Sequence, residues 1–155
     1  PGMVYTLDKV RDSKLMTPRA REFWAPRIQS IALSWGVAFA SAGEIDSLGI
    51  LNATRLAAMR ALTAMDPQYL LTDYLIFSGL DLPQTALIKG DQRSLSVAAA
   101  SVLAKTARDA WMRELDEKIP GYGFSRHKGY GTRLHQQGIK QMGLSIEHRI
   151  SFNIK

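Results

Sequence analysis

The stretch YLLTDYLIF, from Tyr69 to Phe77, indicates the fold class because it is apolar on both alternating faces except at Thr72 and Asp73. A strand in the middle of a sheet has this pattern, since other elements cover both of its faces. A second short strand is predicted from Pro83 to Ile88. Together the two segments indicate a sheet inside a packed domain.

Helix signals precede this strand. Ser41 and Glu44 have the spacing of a capping box, in which each side chain bonds the backbone N–H of the other residue. The helix that follows is expected to end near Asp66 and Pro67. After the capping box, an apolar stripe at helical spacing supports the helix prediction and is formed by Ile45, Leu48, Leu51, Leu56, Met59 and Leu62.

Two further elements are predicted nearer the N-terminus. Thr17 followed by Pro18 is a typical helix start, and the interior Pro26 is expected to kink the helix. The next segment, Ile31 to Ala40, alternates partially between apolar and small residues, which predicts a strand.

The C-terminal half is predicted to be mainly helical. A long alanine-rich helix is expected from Ser94 to about Lys118, then a glycine-rich loop from Gly121 to Gly131, then a short helix from Thr132 to Gln141. Strands that alternate with helices favour a layered α/β domain. We expect one domain over residues 1–155.

The composition favours a polyanionic partner, because the net charge is +6 in 155 residues. Nucleic acid is favoured over an anionic membrane surface, and a soluble basic protein without such a partner is the alternative. The chain has no cysteine, so thiolate metal sites are excluded. Without a long apolar run or a signal peptide, we expect a cytoplasmic protein that does not interact with membranes. A start at Pro1 suggests a piece of a longer chain.

Two aspartates are candidate metal ligands. Asp73 lies in an apolar strand, where an ionised carboxylate needs a partner, and Asp91 follows Lys89 and Gly90 just before the long helix. Each has an ordinary alternative, a strand-end or a capping aspartate. Together, at one end of a sheet, they would form an oxygen-rich site of the kind that Mg²⁺ or Mn²⁺ prefers. Asp109 is explained by ion pairing within its helix.

The loop GYGFSRHKGYGT, from Gly121 to Thr132, is a candidate nucleic-acid contact because it mixes aromatic and cationic side chains on a glycine-rich backbone. An ordinary tight surface loop is the alternative. His127 is a metal ligand, a phosphate contact or a plain loop residue, and no histidine spacing indicates zinc. His135 and His148 are expected to be structural or solvent-facing.

Several segments in order resemble bacterial ribonuclease HII over nearly the whole chain. The matching runs are Asp12-Ser13-Lys14, EIDSLGILNATRLAAMRA from Glu44, KGD from Lys89, SVAAASVLAKTARD from Ser96, PGYGFSRHKGYGT from Pro120 and HRISF from His148. The resemblance implies a ribonuclease H-like sheet flanked by helices with a helical C-terminal extension. It also implies an endonuclease that cuts RNA in RNA/DNA hybrids, or ribonucleotides embedded in DNA, and acts as a monomer.

The resemblance assigns roles residue by residue. Asp73 and Asp91 correspond to the third and fourth of four acidic residues that bind two Mg²⁺ or Mn²⁺ ions and carry catalysis. Tyr130 corresponds to the tyrosine that helps recognise the 2′-hydroxyl, the group that distinguishes RNA from DNA. Ser13, Lys14 and Asn52 match positions that contact backbone phosphates.

The chain departs from the family pattern in two places. Asp73 is followed by Tyr74 where the family has glycine, and the opening strand with Asp-Glu-Ala-Gly-Arg-Gly has no counterpart in the sequence. We therefore expect the domain to be N-terminally incomplete and the 155 residues to hydrolyse hybrids negligibly. The rival interpretations are a non-catalytic nucleic-acid-binding module and an unstable fragment.

Overall fold

The computed structural model describes residues 7–152 and has a mixed α/β fold, as predicted. Its elements in chain order are a 3₁₀ turn Ser13–Leu15, α1 Pro18–Ile31, α2 Ala42–Leu62, β1 Leu70–Asp73, β2 Gln84–Leu87, α3 Gly90–Arg93, α4 Leu95–Lys118, α5 Phe124–His127 and α6 Arg133–Met142.

The chain divides into two compact units. The first unit contains residues 7–37 and Met59–Thr106, and the second contains Ala38–Ala58 and residues 107–152. Both long helices, α2 and α4, therefore contribute residues to both units. Among the described residues, no helix is long and apolar enough to cross a membrane.

Strands β1 and β2 form a parallel pair, with Leu70 opposite Gln84 and Asp73 opposite Leu87. The strand predicted from Pro83 to Ile88 is confirmed. The strand predicted from Tyr69 to Phe77 is too long, because Tyr74 adopts a left-handed conformation, with a φ of 68°, and ends it.

The prediction that this stretch is covered on both faces is also wrong. Leu71 is 44% exposed and Ile76 is 56% exposed. In residues 7–152 the sheet has only the strands β1 and β2, so nothing there extends it into a fully covered central sheet.

The core of the first unit lies between α1 and the first half of α4. Ile28 of α1 packs in one cluster with Ala98 and Val102 of α4, and Val102 is fully buried. The predicted start of α1 is confirmed, because the Thr17 hydroxyl accepts a hydrogen bond from the Ala20 N–H at 3.2 Å. Pro26 lies inside the helix without ending it.

The strand predicted from Ile31 to Ala40 is wrong. Helix α1 runs to Ile31, and no residue from 32 to 40 is in a strand. A strand needs a hydrogen-bonded neighbour as well as an apolar pattern. Here the backbone instead lies against the end of α2, so closely that a Cβ on Gly36 would be 2.5 Å from the Ala61 carbonyl oxygen.

Helix α2 begins at the predicted capping box. The Ser41 N–H donates to Glu44 Oε2 at 2.8 Å, and the Glu44 N–H donates to Ser41 Oγ at 3.2 Å. Gly49 has a φ of 75° and interrupts the helical backbone. The apolar stripe of this helix is only partly buried, since Leu48 and Leu51 are 45% and 50% exposed.

The core of the second unit is aromatic. Tyr122 and Phe124 stack with ring centroids 5.2 Å apart and pack against Leu115 of α4. The predicted long helix is confirmed as α4 and the predicted short helix as α6, which Thr132 caps. The glycine-rich segment contains one short helix, α5, that the sequence analysis did not predict.

Candidate metal and nucleic-acid site

Asp73 and Asp91 lie at the same edge of the sheet. Asp73 is the last residue of β1, and Asp91 is in α3, which begins shortly after β2 ends. Because the strands are parallel, their carboxyl ends meet at one edge, where α/β proteins commonly bind ligands. The Gly90 N–H donates to Asp73 Oδ1 at 2.9 Å, so the residue next to Asp91 fixes the Asp73 carboxylate.

The turn before Asp91 leaves little room for a side chain at Gly90. Lys89 has a φ of 54°, and Gly90 is buried. A Cβ on Gly90 would be 3.3 Å from Leu87 Cβ, from the Thr72 carbonyl oxygen and from Val97 Cγ1. The close approach of this backbone to β1 is what brings Asp91 towards Asp73.

The environment of Asp91 is rich in negative charge. Its pKa is raised, first because burial disfavours the charged form, then because the carboxylates of Asp12 and Asp73 are nearby like charges. A hydrogen bond with the Asp12 carboxyl raises it further, while Lys14 acts in the opposite direction. A bound cation would relieve this repulsion.

The chemistry of this carboxylate pair fits a hard divalent cation. Mg²⁺ is commonly bound by one or two carboxylates, with water and substrate phosphates completing its shell. Within residues 7–152, no group of three or more His, Cys, Asp or Glu side chains could hold a metal ion. Asp73 and Asp91 therefore fit as part of a site that the substrate or further ligands must complete.

Lys14 and Ser13 precede α1 in very different environments. Lys14 is exposed and lies near enough to Asp91 to affect its pKa. Ser13 is 3% exposed, and its hydroxyl shares a 2.6 Å hydrogen bond with the Ser101 hydroxyl. Of the two, only the Lys14 side chain is presented to solvent.

The other two candidate substrate residues, Asn52 and Tyr130, belong to the second unit. Asn52 is exposed on α2, where its amide donates to the Leu48 carbonyl at 3.1 Å and its oxygen accepts from Arg55 at 3.1 Å. Tyr130 is 64% exposed, which suits a stacking or packing contact with a ligand.

The backbone beside Tyr130 has an unusual conformation. Lys128 and Gly129 have φ values of 53° and 81°, both in the left-handed region. The Tyr130 N–H donates to the His127 carbonyl at 2.9 Å, and the Tyr130 carbonyl accepts from the Thr132 N–H at 2.8 Å. The loop is thus a defined turn.

The histidines are all buried, with exposures of 6% for His127, 4% for His135 and 6% for His148. His135 and His148 were expected to be structural or solvent-facing. Their burial agrees with a structural role and excludes a solvent-facing one. The sequence did not predict the contact between these two histidines, because they lie in separate segments.

The sequence also did not predict that Asp12 lies near Asp91. The position of Asp12, directly before Ser13 and Lys14, is the sequence feature that could have indicated it.

The fold is that of a ribonuclease H. It superposes on the crystal structure of the ribonuclease H2 from Pyrococcus horikoshii with a TM-score of 0.72, covering 94% of this chain and 77% of that one at 22% identity.

Sequence similarity identifies the family. The family model described as ribonuclease HII matches residues 6–155. The ribonuclease HII of Thermus thermophilus is 50% identical over 144 residues, which are 92% of this chain and 70% of that protein. That of Dehalococcoides mccartyi is 46% identical over 145 residues, or 92% and 69%. The chain therefore belongs to the ribonuclease HII family, whose members are metal-dependent endoribonucleases that act on RNA in RNA/DNA hybrids.

Proposed function

We propose that this chain supplies the substrate-binding surface and half of the metal ligands of an endonuclease that cuts the RNA strand of RNA/DNA hybrids and single ribonucleotides in DNA. The observation that carries the proposal is that Asp73 and Asp91 lie at the same edge of the sheet, where the Gly90 N–H donates a hydrogen bond to Asp73. Water attack on the phosphorus at the 5′ side of a ribonucleotide leaves 5′-phosphate and 3′-hydroxyl ends.

Asp73 and Asp91 act as ligands for Mg²⁺ or Mn²⁺ and do not carry protons. When bound, a pair of such ions supplies an activated water and stabilises the charge on the leaving oxygen. The Gly90 N–H orients the Asp73 carboxylate. The raised pKa of Asp91 supports the assignment, because crowded carboxylates are stabilised in their charged form by a cation.

Three of the remaining candidate residues, Lys14, Asn52 and Tyr130, bind the substrate. Lys14 is an exposed cation near Asp91, so it can neutralise a phosphate next to the reacting one. Asn52 offers an exposed amide for a second phosphate contact. The part-buried hydrogen bond between the Ser13 and Ser101 hydroxyls holds the segment that carries Lys14. Tyr130 packs on the ribose and recognises its 2′-hydroxyl.

Within its own sequence the chain carries only two of the four acids that the family uses. We therefore expect the purified 155 residues to show negligible hydrolysis of a hybrid with Mg²⁺. A chain that also contains an Asp-Glu-Ala-Gly-Arg-Gly strand should cut it, and Asp73→Asn in that longer chain should abolish cutting while sparing most of the binding. Clear turnover by the 155 residues, or an active Asp73→Asn enzyme, would contradict the proposal.

Binding tests the substrate class in the chain as it stands. The 155 residues should prefer a DNA duplex with one ribonucleotide over the same duplex without it, and Tyr130→Ala should remove the preference. Affinity should fall steeply with salt, as phosphate contacts require. Equal affinity for both duplexes, with the same salt dependence, would favour a non-catalytic module that binds nucleic acid without reading the sugar.

A further inference from the structure

The three histidines of the chain form a buried cluster in the second unit. The rings of His127 and His135 stack with centroids 4.3 Å apart and an interplanar angle of 15°, and the His148 ring lies 5.2 Å from that of His135. The Phe124 ring packs against all of them at 5.5 to 5.8 Å. Buried imidazoles stacked in this way need a definite hydrogen-bond partner at each nitrogen.

The backbone partners fix where each proton resides. The Ser145 N–H donates to His148 Nδ1 at 3.0 Å, so His148 carries its proton on Nε2. That proton is donated to His135 Nε2 at 3.0 Å. His135 must then carry its own proton on Nδ1, which it donates to the Tyr130 carbonyl at 3.0 Å.

His127 has the same kind of fixed tautomer. Its Nδ1 accepts from the Gly129 N–H at 3.1 Å, so its proton lies on Nε2 and is donated to the Tyr122 carbonyl at 2.8 Å. Every nitrogen of the cluster is thereby satisfied with all three rings neutral. Burial lowers the pKa of His135 and of His148, which agrees with neutral rings near pH 7.

These bonds converge on one exposed residue. The Tyr130 carbonyl accepts from His135, the Tyr130 N–H donates to the His127 carbonyl, and the preceding Gly129 N–H donates to the His127 ring. The Tyr130 ring itself is 64% exposed. The left-handed conformation of Lys128 is sparsely populated by non-glycine residues and persists because its surroundings hold it, whereas Gly129 adopts its positive φ readily.

We propose that His127, His135 and His148 are positioning residues that hold the backbone on both sides of Tyr130, so that its ring is presented to the ribose in a fixed orientation. The inference rests on the proposed role of Tyr130 in recognising a ribonucleotide. Three successive hydrogen bonds link the Ser145 N–H, the His148 ring, the His135 ring and the Tyr130 carbonyl, and we call this series the histidine relay. The relay can form only if the rings are neutral and in the assigned tautomers. By fixing Tyr130, the histidine relay helps the protein to distinguish ribose from deoxyribose.

The first test is a matched pair of substitutions at His135. Asn retains a donor in place of Nδ1–H, whereas Leu fills the space without one. The readout is the affinity of the 155-residue chain for a duplex with one ribonucleotide divided by its affinity for the all-DNA duplex. We expect His135→Leu to lower this ratio roughly fivefold or more and His135→Asn to restore most of it. Gln137→Leu, on an exposed position of α6, should leave the ratio unchanged.

The outcomes separate this inference from the proposed function. If Tyr130→Ala leaves the ratio unchanged, the role of Tyr130 fails. If Tyr130→Ala removes the preference but a folded His135→Leu keeps it, the positioning role is wrong. Equal loss in His135→Leu and His135→Asn would also contradict it, because a donor at this position would then not matter.

A second measurement needs no substitution and so cannot fail through misfolding. The nitrogen-15 chemical shifts of the three imidazoles in the unmodified chain report tautomer and charge. At about pH 7 we expect neutral rings, with the proton on Nε2 of His127 and His148 and on Nδ1 of His135. A charged ring, or the opposite tautomer at His135, would overturn the relay.

Discussion

The sheet-edge carboxylates and the Tyr130 loop are held in opposite ways. Burial raises the pKa of Asp91, and the nearby carboxylates of Asp12 and Asp73 raise it further. The Gly90 N–H orients the Asp73 carboxylate. In the loop, the histidine relay satisfies the backbone on both sides of Tyr130. A bound cation would relieve the repulsion between the carboxylates, whereas the hydrogen bonds around Tyr130 are complete without a ligand. Under the proposed function, the chain therefore combines a metal site that depends on its cation with a preorganised contact to the sugar.

The largest loss of stability is expected from a substitution at Phe124, in the aromatic core of the second unit. Phe124 is 3% exposed and packs against Tyr122 and all three histidines. Phe124→Ala should lower the free energy of unfolding by about 3–5 kcal/mol, measured by urea denaturation. Leu144→Ala, at a position that is 50% exposed, should cost at most about 0.5 kcal/mol. If the two substitutions lowered the unfolding free energy equally, the aromatic core would not be what stabilises this loop.

The turn that holds Asp91 is expected to be the next most sensitive position. Gly90→Ala places a Cβ 3.3 Å from three neighbouring atoms and should cost about 1–3 kcal/mol of unfolding free energy. It should also weaken Mn²⁺ binding, because Asp91 must move. Gly43→Ala is the control, since nothing lies within 4 Å of its added Cβ, and it should be neutral or stabilising. A Gly90→Ala protein with unchanged stability would show that the turn tolerates a side chain.

The histidine relay should make folding sensitive to mild acid. In the unfolded chain His135 and His148 titrate near their ordinary value of 6.5, and in the folded state their pKa is lower. The unfolded chain therefore binds more protons over that window. This stabilisation is complete above about pH 6.5 and is lost as the pH falls through the folded pKa.

Urea unfolding at about pH 7.5 and about pH 5.5 measures this loss of stability. His148→Gln, which removes one titrating ring and keeps a donor towards His135, should flatten the dependence. Identical stability of the unmodified chain at both pH values would contradict neutral, buried rings.

The smallest effect is expected at Asp46, whose carboxylate binds the backbone of Ile150 and Ser151 in the second unit. The Asp46 carboxylate accepts hydrogen bonds from the Ser151 N–H at 2.9 Å and the Ile150 N–H at 2.8 Å. Its pKa is lowered, first by the Ser151 hydroxyl and then by these N–H groups. The resulting stability is present above the ordinary pKa of 3.8 and is lost as the pH falls through the lower folded value.

Asp46→Asn should therefore lower the melting temperature slightly at about pH 7, and this effect should shrink as the pH falls below 3.8. Glu147→Gln, an exposed change in the same unit, serves as the control. A difference between Asp46→Asn and the unmodified chain that persists unchanged in acid would show that charge at Asp46 is not the cause.

Local chemistry made part of this structure predictable. The caps at Thr17, Ser41 and Thr132 mark helix starts that the structure confirms, because a cap needs only neighbouring residues. The meeting of Asp73 and Asp91 followed from a strand end and a loop at one edge of a sheet.

Two of the errors have a common physical origin in contacts between distant segments. The strand predicted from Ile31 to Ala40 had the right composition but no partner among the described residues, and strand pairing is not encoded locally. The same holds for the histidines, whose spacing along the chain matches no motif although His135 and His148 share a hydrogen bond. A different error is local: β1 ends early because Tyr74, although not a glycine, adopts a left-handed conformation.

The most direct test of the account is whether Asp73 and Asp91 together hold a divalent cation. Mn²⁺ binding by the 155-residue chain with an RNA/DNA hybrid present can be measured by the loss of the free-ion electron paramagnetic resonance signal. We predict that Asp73→Asn and Asp91→Asn each weaken binding at least roughly tenfold, while Asp81→Asn, at an exposed position of the same unit, does not. Binding as tight as that of the unmodified chain in either of the first two proteins would contradict the assignment of the metal site.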